Sequence, residues 1–353
     1  MTNYQTLTFE PTKKVTIVMP VYNVADYIYA SLTSALDQDM DDMEIVVVDD
    51  CGTDSSMEIV RQLQATHPKG QCLRIIRHDV NKGLGEARNT AMREAQGKYI
   101  FLLDSDDFIT PNAISTLYKA AEAECSELTY GSTVVKEMDG REHPFFVLPR
   151  LTLSGKNALV NYIYSTLRQN VPFYVWNILY LTSFLRSNGF LFPPIRKSED
   201  IMFNELIQPK VTKAVLLPDI TYCYVMRPNS LMSFQARETI GVEEALNALK
   251  YSESLKNMCK QHRAESYYDG KCAKTMKGVF YRICGILKHR QQLTGKVSDR
   301  QLRDVMRHPA SLSEILRFKQ HKGANLLFWF LGKLPSKLFI VAIKTIGRKK
   351  GLL

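Results

Sequence analysis

Four short apolar runs alternate with amphipathic stretches over the first hundred residues. Val15-Thr-Ile-Val-Met19, Glu44-Ile-Val-Val-Val-Asp49, Leu73-Arg-Ile-Ile-Arg77 and Tyr99-Ile-Phe-Leu-Leu103 are rich in β-branched and aromatic side chains. They are continuous rather than alternating, as expected of strands covered on both faces. Between them, Ile28, Leu32, Ala35 and Leu36 recur at helical spacing within 25–37. Met57, Ile59, Val60 and Leu63 do the same after a turn at 49–54. A third helix is expected over 86–95, broken by Gly97. Pro20 is expected to stop the first strand, with Val21-Tyr-Asn23 as the turn. The alternation predicts an α/β domain on a doubly wound, mostly parallel sheet with helices on both faces.

Later segments add a strand at Thr221–Met226 and a helix containing Ile201, Phe203, Leu206 and Ile207, opened by Ser198 as N-cap. Residues 241–290 read as helical, through Ala245, Leu246, Leu249, Leu255, Met258, Cys259, Val279, Ile283, Ile286 and Leu287. Residues 324–346 differ. Two apolar blocks, Leu326–Leu331 and Leu338–Ile343, are interrupted by Lys333, Pro335, Lys337 and Lys344 and followed by Arg348-Lys-Lys350. Neither block has the roughly 20 apolar residues needed to span a bilayer. Trp and Phe with flanking Lys suit a helix lying in an anionic membrane surface; the alternative is a helix pair docked on the preceding domain.

Length and charge sharpen this picture. With 353 residues, 45% apolar and 23% charged, the chain has room for two globular domains. The net charge of +10 is uneven: residues 241–353 hold 23 Lys+Arg against 8 Asp+Glu, and residues 1–240 hold 23 against 28. A basic end on an acidic front points to a polyanionic partner, and no nucleic-acid motif accompanies it. The seven cysteines are scattered, with no Cys-x-x-Cys pair, so zinc and redox motifs get no support and a reducing cytosol is expected. The first fourteen residues are polar, with no signal-peptide core.

The chemistry concentrates where the fourth run ends, in Asp104, Asp106 and Asp107. Crowded carboxylates repel unless a cation sits among them, and an Asp-x-Asp holds a hard divalent ion while leaving positions to substrate phosphates. An acidic, solvated turn is the plainer alternative. Tyr22, Asp49, Asp50, Asn81 and Arg88 also fall at or beyond strand carboxyl ends, where ligands lie in such sheets. A Rossmann dehydrogenase or a nucleotidyltransferase needs a glycine-rich turn after the first strand, and a P-loop enzyme needs Gly-Lys-Ser/Thr before a helix; all are absent. His78 has no second His or Cys at ligand spacing and reads as a loop residue.

Four motifs in series carry a resemblance: Val18-Met-Pro-Val-Tyr-Asn23, Val47-Val-Asp-Asp-Cys-Gly-Thr-Asp54, Asn81-Lys-Gly-Leu-Gly-Glu-Ala-Arg-Asn89 and Leu103-Asp-Ser-Asp-Asp107. Across roughly residues 14–110 they resemble a family 2 glycosyltransferase of GT-A fold. Cys51 departs from the Gly usual there. Trp176-Asn-Ile-Leu-Tyr180, Phe192-Pro193, Ser198-Glu-Asp200 and Tyr222-x-Tyr-x-x-Arg-Pro-Asn-Ser230 follow the later landmarks more faintly.

The resemblance implies roles. Asp50 would bind the uracil or ribose of a UDP-sugar, with Pro20, Tyr22 and Asn23 near the base and Asp49 there or supporting the turn. Asp104 would hold ribose and, with Asp106, a divalent metal (Mn2+ or Mg2+). Ser105 and Asn81 are counted to the same site, and Asp107 behind it. Arg227 and Ser230 would face the diphosphate, and Arg88 would reach the diphosphate or the base, the alternative being a surface arginine paired with Asp50 or Asp104. Asp200 would be the general base, with Glu199 as the other candidate and Arg196 and Lys197 favouring its charged form. The implied organisation is an extension at 1–14, a catalytic domain at 15–235 (nucleotide part 15–110, acceptor part 111–235), and a basic helical region at 236–353 with an amphipathic tail at 324–350. The implied activity is inverting, metal-dependent transfer of a hexose or N-acetylhexosamine to a glycan or lipid-linked acceptor in polysaccharide synthesis. The expected location is cytoplasmic, on the inner face of the plasma membrane. A non-catalytic nucleotide-sugar-binding scaffold is the alternative, and nucleic acid is not an expected partner.

Overall fold

The computed structural model describes residues 9–166, 173–195, 198–227 and 239–353. The chain divides into two compact units, residues 1–159 with 171–228, and residues 160–170 with 229–353.

The first unit opens with β1 (Lys13–Val21), α1 (Ala25–Leu36), β2 (Met43–Asp49), α2 (Ser56–Thr66), β3 (Leu73–Arg77), α3 (Leu84–Glu94) and β4 (Gly97–Leu102). It continues through β5 (Phe108–Ile109), α4 (Ala113–Glu124), β6 (Leu128–Lys136), β7 (Glu142–Phe146) and β8 (Leu151–Ser154). After α5 (Ala158–Tyr164), most of which belongs to the second unit, come β9 (Ile178–Leu181), α6 (Thr182–Ser187), α7 (Glu199–Ile207) and β10 (Lys213–Val225).

Among the described residues these form one sheet of ten strands in the order β3-β2-β1-β4-β9-β6-β10-β5, with β7 on β6 and β8 on β10. The first four strands are mutually parallel. Past β4 the sheet is mixed, because β9 runs antiparallel to both β4 and β6. The alternation read from the sequence therefore describes the parallel part of the sheet, β1 to β4. Val15, Ile17, Met19 and Val21 of β1 share a core with Ile28, Leu32 and Leu36 of α1, Val60 and Leu63 of α2, and Leu117 of α4. The alternate residue Val18 is buried too, and α3 packs on β1 and β2. Burial of each such side chain contributes about 1.5–3 kcal/mol, which holds the strand ends in place.

One expectation is corrected here. Pro20 does not stop β1, which runs to Val21 and keeps pairing with β2 at Pro20↔Val48. On the other side β4 has already left, since that register ends at Val18↔Leu102. The missing Pro20 N–H therefore faces no waiting acceptor on β4.

The second unit is helical: α8 (Val242–Gln261), α9 (Tyr268–Lys288), α10 (Asp299–Val305), α11 (Leu312–Arg317), α12 (Lys322–Leu331) and α13 (Ser336–Lys349). Ser298 with Gln301 and Ser311 with Glu314 form capping boxes that start α10 and α11. The buried Lys256 donates to the carbonyls of Val305 (2.8 Å) and Arg307 (3.0 Å), satisfying acceptors at the end of α10. The two apolar tail blocks become α12 and α13. Phe328, Leu331, Phe339, Ile340 and Ile343 join Met276, Val279 and Ile283 of α9 in one core. Part of the tail's apolar surface is thus internal to this unit.

Candidate active site

The chain reverses across the sheet between β3 and β4, so the loops after β1, β2, β3 and β4 gather at one edge. Each motif is a device for fastening these loops together. Asn23, at φ 52°, accepts the Thr53 N–H at 2.7 Å and joins the turn after β1 to the turn after β2. A Cβ on Gly52 would stand 3.0 Å from Asn23 Oδ1, so a glycine suits this close approach. Cys51 has φ 59°, which explains the Gly usual at its position; its thiol donates to the His78 carbonyl at 2.8 Å. Tyr22 is about half exposed. Asp49 accepts the Cys51 N–H at 3.1 Å and lies 3.7 Å from Arg77 Nε, which makes it a support of the turn.

Asp50 is buried and already accepts three donors: the backbone N–H of Lys82 (2.8 Å) and of Gly83 (2.9 Å), and His78 Nδ1 at 2.7 Å. A carboxylate offers about four acceptor positions, and these donors take three of them. His78 is not a simple loop residue. It is buried and bridges Asp50 to Thr90 Oγ1 (2.9 Å), tying the second strand's acid to α3. Asn81 is exposed in the same loop.

The α3 motif docks the far side of the site. Gly83, at φ 86°, precedes the helix, and a Cβ on Gly85 would come 3.3 Å from Phe192 Cβ. Asn89 accepts the Phe192 N–H at 2.7 Å and donates to its carbonyl at 3.0 Å. Arg88 thereby lies wholly buried, 5.2 Å from the Phe192 ring centre. Its Nη2 is 2.6 Å from Asp104 Oδ1, and its Nη1 is 2.6 Å from Asp200 Oδ1 and 3.3 Å from Glu199 Oε1. These three carboxylates hold its pKa above the ordinary guanidinium value despite burial.

In the acid turn, Asp106 pairs with Arg227 at 2.6 Å, and that guanidinium lies 5.4 Å from the Tyr27 ring. Burial, followed by the charge of Asp104, raises the Asp106 pKa. Asp107 is buried, accepts the Tyr222 hydroxyl and the Val225 N–H, both at 2.7 Å, and anchors β10. Burial and its acidic neighbours push its pKa well up. Ser105, between Asp104 and Asp106 in the chain, is buried. Asp104, Asp106 and Asp200 keep 23%, 20% and 24% of their side-chain surface exposed, so a ligand can reach all three.

Glu199 and Asp200 open α7. Burial and then the Asp200 charge raise Glu199 to about 7, against the pull of Arg88. Ser198 precedes them at φ 64° without a capping hydrogen bond from its side chain, so its expected N-cap bond is not made. A residue in that left-handed conformation directs its side chain away from the first-turn N–H groups that a cap would serve. Arg196, Lys197 and Ser230 lie outside the described residues.

Sequence reading assigned no part to Asn89 or Tyr222 and set His78 aside. Asn89 sat inside a quoted motif, so the signal was available. Tyr222 also stacks on Trp176 (4.4 Å between ring centres), which stacks on Tyr174 (3.5 Å), a pile no spacing rule would join.

The architecture is that of a GT-A fold with a helical C-terminal part. Staphylococcus aureus TarS 1–349, solved in complex with UDP-GlcNAc, aligns at a TM-score of 0.65 and 20% identity, over 91% of this chain and 90% of that one. Residues 16–185 match the family model described as Glycosyl transferase family 2. It is 32% identical over 222 residues to a poly(ribitol-phosphate) beta-glucosyltransferase of Bacillus spizizenii, covering 61% of this chain and 32% of the relative. It is 30% identical over 221 residues to the uncharacterized glycosyltransferase EpsJ of Bacillus subtilis, covering 62% of each. The chain spans less than two thirds of either relative's length.

Proposed function

We propose that this chain transfers a hexose or N-acetylhexosamine from a UDP-sugar to an acceptor hydroxyl, with inversion, in the assembly of a polysaccharide. The observation that carries the reading is the single buried guanidinium of Arg88 shared by Asp104 and Asp200. It brings an acid of the donor-side turn next to a candidate base on another element. The family match and the UDP-GlcNAc complex of the TarS neighbour support a UDP-sugar as donor.

In this reading Asp200 accepts the proton of the acceptor hydroxyl as that oxygen attacks the anomeric carbon. The bond from that carbon to the diphosphate oxygen breaks with its electron pair, and UDP leaves. Glu199, raised to about 7 by burial and the Asp200 charge, is about half protonated near neutral pH. Arg227 faces the acid turn and offsets leaving-group charge once its pairing with Asp106 is exchanged for phosphate. Asp50 reads the nucleoside with its remaining acceptor position, and Pro20, Tyr22 and Asn23 flank the base.

Two hard carboxylates on one turn, partly exposed and now neutralised by arginines, fit a divalent cation held together with phosphate oxygens. Asp104 and Asp106 would hold it, and when bound it would supply charge neutralisation for the diphosphate. Among the described residues no cluster of three or more His, Cys, Asp or Glu is arranged for a metal.

The test is UDP release from a panel of UDP-sugars with Mn2+, with and without glycan acceptors, for the parent and Asp200→Asn. Loss of roughly 100-fold or more in turnover with UDP affinity retained is expected. Undiminished turnover in Asp200→Asn would remove the base assignment.

A further inference from the structure

The helices α12 and α13 each bury one face in the second unit and leave the other uncovered. On α13, Phe339, Ile340 and Ile343 are buried, while Leu338 and Val341 are 57% and 62% exposed. On α12, Phe328 and Leu331 are buried, while Leu327 and Phe330 are exposed. Members of each exposed pair stand three positions apart and so share a helix face. Lys337, Lys344 and Arg348 are exposed at four before, three after and seven after Val341, on the same outward side of α13.

The charge around these side chains has one sign. From Ile315 to Leu353 the chain contains nine Lys and Arg and no Asp or Glu. A face that only had to stay soluble would mix its charges, and a helix completing a protein core would bury both of its apolar sides. Four large exposed apolar side chains within a stretch that carries cations and no acid complement a surface that is apolar inside and anionic outside. Among the described residues no helix is long and apolar enough to cross a membrane.

We propose that the outward face of α12 and α13 docks on an anionic phospholipid bilayer. Leu327, Phe330, Leu338 and Val341 enter the headgroup layer, and the lysines and arginine beside them pair with lipid phosphates. The proposal is independent of sugar transfer, since binding is read on the resting protein without donor or acceptor.

The experiment is co-sedimentation of the full chain with phosphatidylcholine vesicles, with and without phosphatidylglycerol. Binding is expected only with the anionic lipid and is expected to weaken as salt is raised. The triple change Lys337→Gln, Lys344→Gln and Arg348→Gln is expected to weaken it about 100-fold, at roughly fivefold per cation. Leu338→Ser with Val341→Ser, at exposed positions, is also expected to weaken it without changing the thermal melt. Equal binding to both vesicle types, or none at low salt, overturns the proposal. So does vesicle binding that survives the serine changes while oligonucleotide binding falls with the charges, which would mark a nucleic-acid surface. If a multiple variant melts early, the lipid and salt dependence of the parent decides by itself.

Discussion

Arg88 and Asp200 lie 112 positions apart and meet at 2.6 Å. The other arm of the same guanidinium reaches Asp104 at the same distance. One buried cation therefore fastens the end of β4 to the first turn of α7, and the two halves of the candidate chemistry share a counterion.

Removing that cation should be costly. Arg88→Leu leaves Asp104, Glu199 and Asp200 without their common partner, and breaking a buried ion pair in this way costs about 3–5 kcal/mol. The expected result is a melting temperature lower by about 6–20 °C, at roughly 2–4 °C per kcal/mol, and no UDP release. Arg88→Lys keeps the charge but loses the two-armed reach, and should fall between the two. A melt of Arg88→Leu indistinguishable from the parent would show that the three pairings carry no stability.

Glu199 makes stability depend on pH. Its pKa is raised to about 7 in the folded chain from an ordinary value of 4.5. The proton is held more tightly when folded, so its contribution is complete below pH 4.5 and is lost as pH rises through about 7. Glu199→Gln is neutral throughout and should be the more stable protein at pH 8, by up to ~3 kcal/mol, converging with the parent near pH 4. Melting curves across that range test this; two parallel profiles would contradict it.

Cys51 offers a gain. Its left-handed backbone costs a side-chain-bearing residue about 1–2 kcal/mol, partly offset by its thiol bond to the His78 carbonyl. Cys51→Gly should therefore stabilise the first unit by about 0.5–1 kcal/mol. Chemical denaturation with an unchanged slope and a higher midpoint would be the expected signature, and a lower midpoint would assign the greater weight to the thiol.

Asp106 tests the cation. With UDP present, Mn2+ should raise the parent's melting temperature, because a ligand of the native state alone shifts unfolding. Asp106→Ala should abolish that shift, and a chelator should reduce parent UDP release to the level of the variant. A full Mn2+ response in Asp106→Ala would exclude this carboxylate as a ligand.

Much of this was legible in the chain. The four apolar runs became β1 to β4 within a few residues, because a strand covered on both faces must be apolar throughout. Asp104 and Asp106 were nameable because carboxylates crowd where the fourth run ends, whereas Asp200 was singled out only by the family resemblance, since any helix start favours acids in its first turn. Pro20 misled, since the loss of an N–H matters only if a neighbouring strand needs it, and β4 has departed by then. His78 was passed over because its partners, Asp50 and Thr90, are 28 positions before it and 12 after.

What the amino-acid sequence determined by itself is local and periodic: which stretches are strands or helices, where the chain turns, and which residue types gather at the strand ends. Those depend on side-chain sterics and spacing over a few residues. Only the tertiary structure decided that Asp107 is held by Tyr222, that Arg88 is the shared counterion of Asp104 and Asp200, and which part of the tail's apolar surface stays outside. Each depends on groups far apart in the chain meeting in three dimensions, and no local period encodes that.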